Sequence, residues 1–296
     1  MQRQSGRLVA ALVLVLVLAV PAAGQEAPIG HRREPGASAQ ALGVGDAVRA
    51  AGMGPSALFF NPAGMARAMM YAIETGYDFD NPVEGHAFHV AVTDSKMNEY
   101  VAAGMGYSYL FAEKGDYGKT GHTIRFALAS GYRSPTLSAL IGAGLRWSKF
   151  NRKYPVDDYE GVSADVGAIF DIFQVVQIGV VGHNVVKLDD QSEMPISLGL
   201  GISFNYSGVM LAFDTLLDFG TLEDTTPVYS VGAEYFVMGL IAVRAGFQID
   251  QVFDDKAVTF GLGYVSQFWG LDVSSRISVE DESDAMVLTN LRVYLP

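Results

Sequence analysis

The sequence predicts an all-β protein: a 14-stranded antiparallel transmembrane β-barrel with a small N-terminal segment in its lumen. Three observations predict it. From about residue 68 to the C-terminus, strand-length segments alternate apolar residues with polar or small ones. The connections between these segments alternate long and short along the whole chain. The face opposite the apolar one carries ionised residues among glycines, and each uncompensated charge would be costly in the dry core of a soluble barrel. Ile196-Ser197-Leu198-Gly199-Leu200-Gly201-Ile202-Ser203-Phe204 shows the alternation most cleanly. A side chain changes face at every residue of a strand, so Ile, Leu and Phe share one surface, Ser and Gly the other. A membrane barrel turns the apolar surface to lipid and the polar or glycine surface to the lumen.

The N-terminus comes first in order. Arg3 and Arg7 precede an apolar run from Leu8 to Val20, and Pro21-Ala22-Ala23-Gly24 follows. A charged start, an apolar middle and small residues at the end predict a cleaved secretory signal over 1–24. The apolar run is shorter than the ~20 residues of a spanning helix, and no later segment approaches that length. Arg3 and Arg7 leave with the signal, which moves the formal net charge from −12 to −14. Residues 25–67 are then expected as a flexible segment followed by a plug. Residues 25–40 are polar with Pro28 and Pro35, whereas 41–66 are small and helical in pattern. Ser56 is placed to cap a short turn, and Pro62 with Gly64 to break it. A compact, weakly charged segment just before the first strand is suited to sit inside a lumen.

The barrel occupies 68–296. Its strands are expected at 68–78, 85–93, 100–112, 122–132, 137–149, 162–170, 175–184, 196–206, 209–217, 228–237, 240–250, 257–267, 271–279 and 286–295. The number is fourteen, or twelve if two weak neighbours merge, and each is near the ~9–11 residues that a tilted strand needs to cross a bilayer. Odd-numbered connections such as 150–161, 185–195 and 218–227 are long and acidic; even-numbered ones such as 207–208 and 238–239 are short. Alternation of this kind puts the two sets at opposite rims, with short periplasmic turns and longer extracellular loops. Most of the 32 acids lie in the odd-numbered connections. They form either a solvated rim or a surface for divalent cations that bridge lipopolysaccharide.

On the outer face the pattern places Tyr71, Ile73 and Tyr77, then Ile141, Leu145 and Trp147, Val209, Leu211 and Phe213, and comparable sets on later strands. On the inner face it places Glu74, Arg125, Arg146, Asp165, Asp214, Glu234, Arg244, Asp272, Arg276 and Arg292, expected in a wet lumen. Glu234 with Arg244, and Arg146 with Asp165, are positioned to pair across adjacent strands. Tyrosines, Trp147 and Trp269 near strand ends fit interfacial girdles.

From Gly43 to Ala66 the chain shows a glycine-rich start, Ser56-Ala57-Leu58, aromatic residues and then Asn61-Pro62-Ala63-Gly64 leading to the first strand. This stretch resembles the N-terminal hatch of FadL-type outer-membrane proteins and of their compact PorV/PorQ-type relatives. The resemblance implies a fourteen-stranded barrel with the N-terminus inside, and passive uptake of fatty acids or hydrocarbons gated by a hatch motif at Asn61, Pro62, Ala63 and Gly64. It also implies sideways release of the ligand, for which Gly104 and Gly106 are candidate wall-kink glycines; the alternative for both is tight packing. The chain is much shorter than FadL and lacks its long extracellular loops. That build is nearer the PorV/PorQ relatives, whose roles resemble partner binding in secretion or surface assembly.

The expected partners are thus outer-membrane lipid and lipopolysaccharide, a hydrophobic small molecule, or secretion and surface proteins. The cellular address is the outer membrane of a Gram-negative bacterium. Other classes find no support. There is no cysteine, hence no disulfide framework or thiol chemistry. His86 and His89 fall on opposite strand faces and do not chelate together, so no metal is expected. His122 and His183 lie near serines only through the abundance of serine, and no triad or other enzyme is specified. Gly104-x-Gly106 and Gly261-x-Gly263 sit inside strands without a following helix, so neither is a nucleotide loop and no cofactor is expected. A strongly acidic chain is a poor nucleic-acid binder. A general porin is the weakest transport reading, because a hatch argues against an open pore.

Overall fold

The computed structural model describes residues 38–81, 83–112, 118–153, 157–186 and 193–295. The expected signal and the stretch 25–37 lie outside these residues. Fourteen strands close one barrel in which every neighbour is antiparallel and β1 pairs with β14. In chain order they are β1 (Tyr71–Asp80), β2 (Gly85–Asp94), β3 (Val101–Ala112), β4 (Lys119–Tyr132), β5 (Leu137–Arg152), β6 (Tyr159–Ile172) and β7 (Val176–His183). Then follow β8 (Ser197–Tyr206), β9 (Val209–Asp218), β10 (Thr226–Val237), β11 (Ile241–Asp250), β12 (Asp255–Val265), β13 (Trp269–Ser278) and β14 (Ala285–Leu295).

Register explains why the alternation was so regular. One outward row runs Ile73, Val92, Met105, Phe126, Leu145, Ala164 across β1–β6, wholly apolar. Two residues nearer the long loops the row is Thr75, Val90, Tyr107, Ile124, Trp147, Val162. Two further on it becomes Tyr77, Phe88, Tyr109, His122, Lys149, Glu160. Hydrocarbon gives way to the interface over about 7 Å, two residues of strand rise. Ile141, Leu128, Leu262 and Leu145 are each about 60% exposed on this surface, which only lipid can cover favourably. Trp269 packs against Tyr264 with tilted rings at the short-turn rim, while Trp147 donates from Nε1 to Glu160 at the opposite one. The two tryptophans therefore mark both edges of the apolar band.

The departures from the expected strands have physical causes. β1 begins at Tyr71, not at 68, because Ser95 ties Ala68 and Met70 into a turn: its backbone N–H donates to Met70 O at 3.0 Å and its hydroxyl to Ala68 O. β4, β5 and β6 run three residues further toward the long loops than expected. Their outward residues there are Thr120, Asn151, Lys149 and Glu160, which lie above the apolar band and break the alternation of hydropathy while the ladder continues. At sixteen residues β5 spans about 50 Å, well beyond the apolar band.

Candidate functional site: the hatch and the lumen wall

The N-terminal segment consists of α1 (Ala39–Gly43), a 3-10 turn Gly54–Ser56 running into α2 (Ala57–Phe60), and a 3-10 helix Pro62–Ala66. Ser38 caps α1 by accepting from Gln40 N–H, and Asn61 caps the 3-10 helix by accepting from Ala63 N–H at 3.2 Å. Ser56 does not cap, contrary to expectation: its hydroxyl donates back to Met53 O at 2.9 Å. Nearly the whole segment is buried.

Its path is a circuit of the inner wall, and lumen-facing glycines mark the path. A Cβ on Gly261 of β12 would stand 3.1 Å from Gly43 Cα; on Gly246 of β11 and Gly232 of β10 it would run into Val44. On Gly201 of β8 it would meet Ala50 N at 2.9 Å, and on Gly179 of β7 Ala50 Cα at 2.9 Å. Gly167 of β6 makes room for Asn61, and Gly142 of β5 for Pro62 and Ala63. Six of these seven glycines face one another in pairs directly across the ladder: Gly232 with Gly246, Gly179 with Gly201, Gly142 with Gly167. The hatch main chain thus lies against the wall main chain, an approach that any side chain would prevent.

Polar contacts fasten this circuit. Ala39 N–H donates to Asn290 Oδ1 at 2.6 Å, and Arg292 donates to Gln40 Oε1 at 2.8 Å. Asp214 accepts from Arg49 N–H at 2.7 Å and lies 3.4 Å from its Nη1. Asn61 Nδ2 donates to Arg49 O at 2.9 Å and reaches Ala168 O of β6 and Val180 O of β7 at 3.3 and 3.4 Å. One buried amide therefore joins both halves of the hatch to two strands. At the short-turn rim Arg67 pairs with Asp171 at 3.2 Å and donates to Ala51 O at 2.7 Å. Burial holds its guanidinium below the ordinary value, with Asp171 acting in the opposite sense.

All ten expected lumen charges project inward, yet they are not in a wet lumen: each is less than a tenth exposed. Hatch and ion pairs take the place of water. Glu234, Arg244, Asp272, Arg292 and Glu74 form an alternating chain from β10 to β1: Arg244 binds Glu234 at 2.5 Å and Asp272 at 2.6 Å. Arg292 binds the other Asp272 oxygen and lies 3.5 Å from Glu74. Gly263 of β12, between Arg244 and Asp272, leaves their contact open. His89 Nε2 closes the chain on β2, 3.5 Å from Glu74 and 2.8 Å from Asn290 Nδ2. Nearer the long loops, Arg146 and Asp165 are joined through Asn184, whose Oδ1 accepts from Arg146 and whose N–H donates to Asp165 at 2.9 Å. Arg125 stands opposite Arg146 and stacks over Phe59 at 5.1 Å. Arg276 pairs with Asp255 and with Asp284 at the long-loop rim.

On the short-turn side of Arg125, Arg146 and Asp165, the inner wall of β2–β6 is apolar. Leu58, Phe59, Phe60 and Met65 of the hatch pack with Ala91, Ala102, Ala127, Ala129, Leu140 and Ile169 of β2–β6. Gly104 and Gly106 belong here: a Cβ on the first would meet Met65 Sδ at 2.5 Å, on the second Leu58 Cδ2 at 2.9 Å. β3 pairs residue for residue through both positions, with β2 and with β4. Above this cluster Met194, from the β7–β8 connection, is buried among Ala87, Leu110, Phe150 and Tyr159. Glu193 beside it binds Lys119 at 2.7 Å and Arg152 at 3.5 Å.

Arg49, Arg67, Asn290 and Asp171 were not singled out in the sequence, and His89 was considered only as a metal ligand with His86. A signal existed for the two arginines: apart from Asp46 they are the only ionised residues of 38–67. Bases that isolated in a buried segment require acids on the wall. Among the described residues no cluster of three or more metal-ligating side chains occurs.

No protein-family profile matches the chain, and no curated protein matches it in sequence. Solved structures do. The Ralstonia pickettii toluene transporter TbuX superposes with a TM-score of 0.57 at 13% identity, over 81% of this chain and 92% of that one. The Pseudomonas putida toluene transporter TodX gives 0.54 at 13% identity, again over 81% and 92%. The Acinetobacter baumannii outer membrane protein Omp33 gives 0.51 at 11% identity, over 77% and 98%. At such identities the likeness is one of fold. The chain has the fold of the TbuX and TodX transporters, the fold that its resemblance to FadL-type proteins led us to expect.

Proposed function

We propose that this protein is an outer-membrane channel for passive uptake of small hydrophobic molecules, delivered to the outer membrane of a Gram-negative bacterium by its N-terminal signal. The observation that carries the reading is the division of the lumen. Charges on β10–β2 are closed into ion pairs, and the opposite side, between hatch and β2–β6, is lined by Leu, Phe, Met and Ala. Ions find no solvated path along the first side. Molecules that resemble Leu or Phe side chains exchange favourably with the second. Asn61, Pro62 and Ala63 set the apolar half of the hatch against β5–β7 and Gly64 packs within it against Gly52 and Ala57, which supports assigning the four as gating residues. The fold shared with two toluene transporters supports this assignment.

The test is uptake into cells lacking the chromosomal copy, with toluene, a long-chain fatty acid and a disaccharide as solutes. Complementation is expected to restore uptake of at least one hydrophobic solute and leave disaccharide uptake unchanged. Unchanged hydrophobic uptake would overturn the reading. A second reading, a PorV/PorQ-like partner in secretion or surface assembly, is favoured by the main-chain contact between hatch and wall and by the Met194 cap. It predicts a discrete crosslinked complex from native membranes; a clean monomer would remove it.

A further inference from the structure

The outward face of β1–β4 carries a feature that transport does not use. His86 and His122 both face outward, each with a tyrosine hydroxyl 2.7 Å from its Nδ1: Tyr77 for His86, Tyr107 for His122. Each pair also stacks, with ring centroids 6.0 and 5.9 Å apart. Phe88 and Tyr109 lie between them, against Tyr77 at 4.9 Å and His122 at 5.0 Å. A hydroxyl that donates to Nδ1 leaves the imidazole proton on Nε2. The same small device is thus built twice on adjacent hairpins.

Position limits what these donors can meet. His122 stands in the row where apolar residues give way to Lys149 and Glu160, the level at which acyl chains end and headgroups begin, and His86 stands two residues nearer the long loops, between Phe79 and Phe111. From the strand spacing and the rise per residue, the two imidazoles are about 12 Å apart. Among the described residues of these two outward rows only Glu160 is acidic, and Lys149 accompanies it at 2.9 Å; the others are hydrogen-bonding side chains and aromatic rings, and Glu84 lies outside the strands, before His86. The rest of the chain is strongly acidic. The complementary group at this depth is an anionic phosphate, with sugar rings or acyl chains against the aromatic rings.

We propose that this sector is a binding site for a phosphorylated lipid headgroup of the outer leaflet, with His86 and His122 as phosphate donors, Tyr77 and Tyr107 fixing their tautomers, and Phe88 and Tyr109 as the platform between them. The site is separate from the lumen and does not depend on what the channel carries.

The experiment is native mass spectrometry of the full chain in detergent. The probes are a bis-phosphorylated acylated glucosamine disaccharide and the same lipid without phosphates. The native chain is expected to bind the phosphorylated lipid at least tenfold more tightly. His86→Phe with His122→Phe keeps both rings and removes both donors, so the preference is expected to vanish. Tyr77→Phe with Tyr107→Phe is expected to reduce it severalfold, and Tyr235→Phe on the far wall to leave it intact. Equal binding of the two lipids by the native chain would overturn the proposal whether or not the variants fold. Retention of the full preference by the folded His86→Phe, His122→Phe variant would do the same.

Discussion

At the scale of single residues, buried polar side chains decide where the hatch sits. Asn61 combines a helix cap with contacts to a hatch carbonyl and two wall carbonyls. Asn61→Ala leaves buried acceptors without their donor, at a cost of about 1–3 kcal/mol. The expected result is a hatch cleaved by added protease in a barrel that still migrates as folded on unheated gels. Arg244 is the more deeply buried base of the ion-pair chain, its side chain wholly enclosed between Glu234 and Asp272. Arg244→Leu removes the base from Glu234 and leaves Asp272 with Arg292 alone, and should destabilise by about 3–5 kcal/mol, read as a lower urea midpoint. Replacing Glu234 and Asp272 by their amides in the same chain should recover part of that loss. Cross-strand alternation let the sequence name Glu234 and Arg244 as partners. It could not show that Asp272 extends the chain, because the intervening Gly263 carries no side chain to register a role.

At the scale of elements, strands and hatch differ in how much of them the sequence displays. Lipid outside and polar or glycine contacts inside force a period of two on each strand, so the strands could be located to within about three residues wherever lipid faced them. The period fails at the ends of β4–β6, where Lys149, Glu160, Thr120 and Asn151 face water or headgroups, and there the expected ends fell short. The hatch offers no such period, since its contacts are main chain against glycine. Gly142 and Gly144, both facing inward on β5, test that contact. A Cβ on Gly142 would stand 2.5 Å from Pro62 C, whereas on Gly144 its nearest neighbours lie at 3.5 Å. Gly142→Ala should weaken hatch docking by about 1–3 kcal/mol. Gly144→Ala should be neutral or slightly stabilising, as alanine suits a strand better than glycine. Hydrogen exchange over 38–67 would separate the two outcomes: faster exchange in the first variant, unchanged exchange in the second.

At the scale of the whole molecule, the barrel has a lipid-facing wall, a lumen with one ion-paired and one apolar side, and a main-chain circuit fixed between them. The sequence made the wall, its lipid-facing surface and the presence of a plug legible, because each rests on hydropathy patterns along the chain. The closure of the lumen was not legible: a wet interior was expected, and ten buried charges were found. Pairing of charges as far apart in the chain as Glu74 and Arg292 depends on barrel closure, which no local pattern records. On the proposed reading the hatch closes the pore to ions while the barrel itself is sound. Planar-bilayer conductance of the intact protein, compared with a form lacking residues 38–67, tests this most directly. The intact protein should show no channel steps and the truncated form should show large, steady ones. Ohmic conductance of the intact protein equal to that of the truncated form would contradict the account.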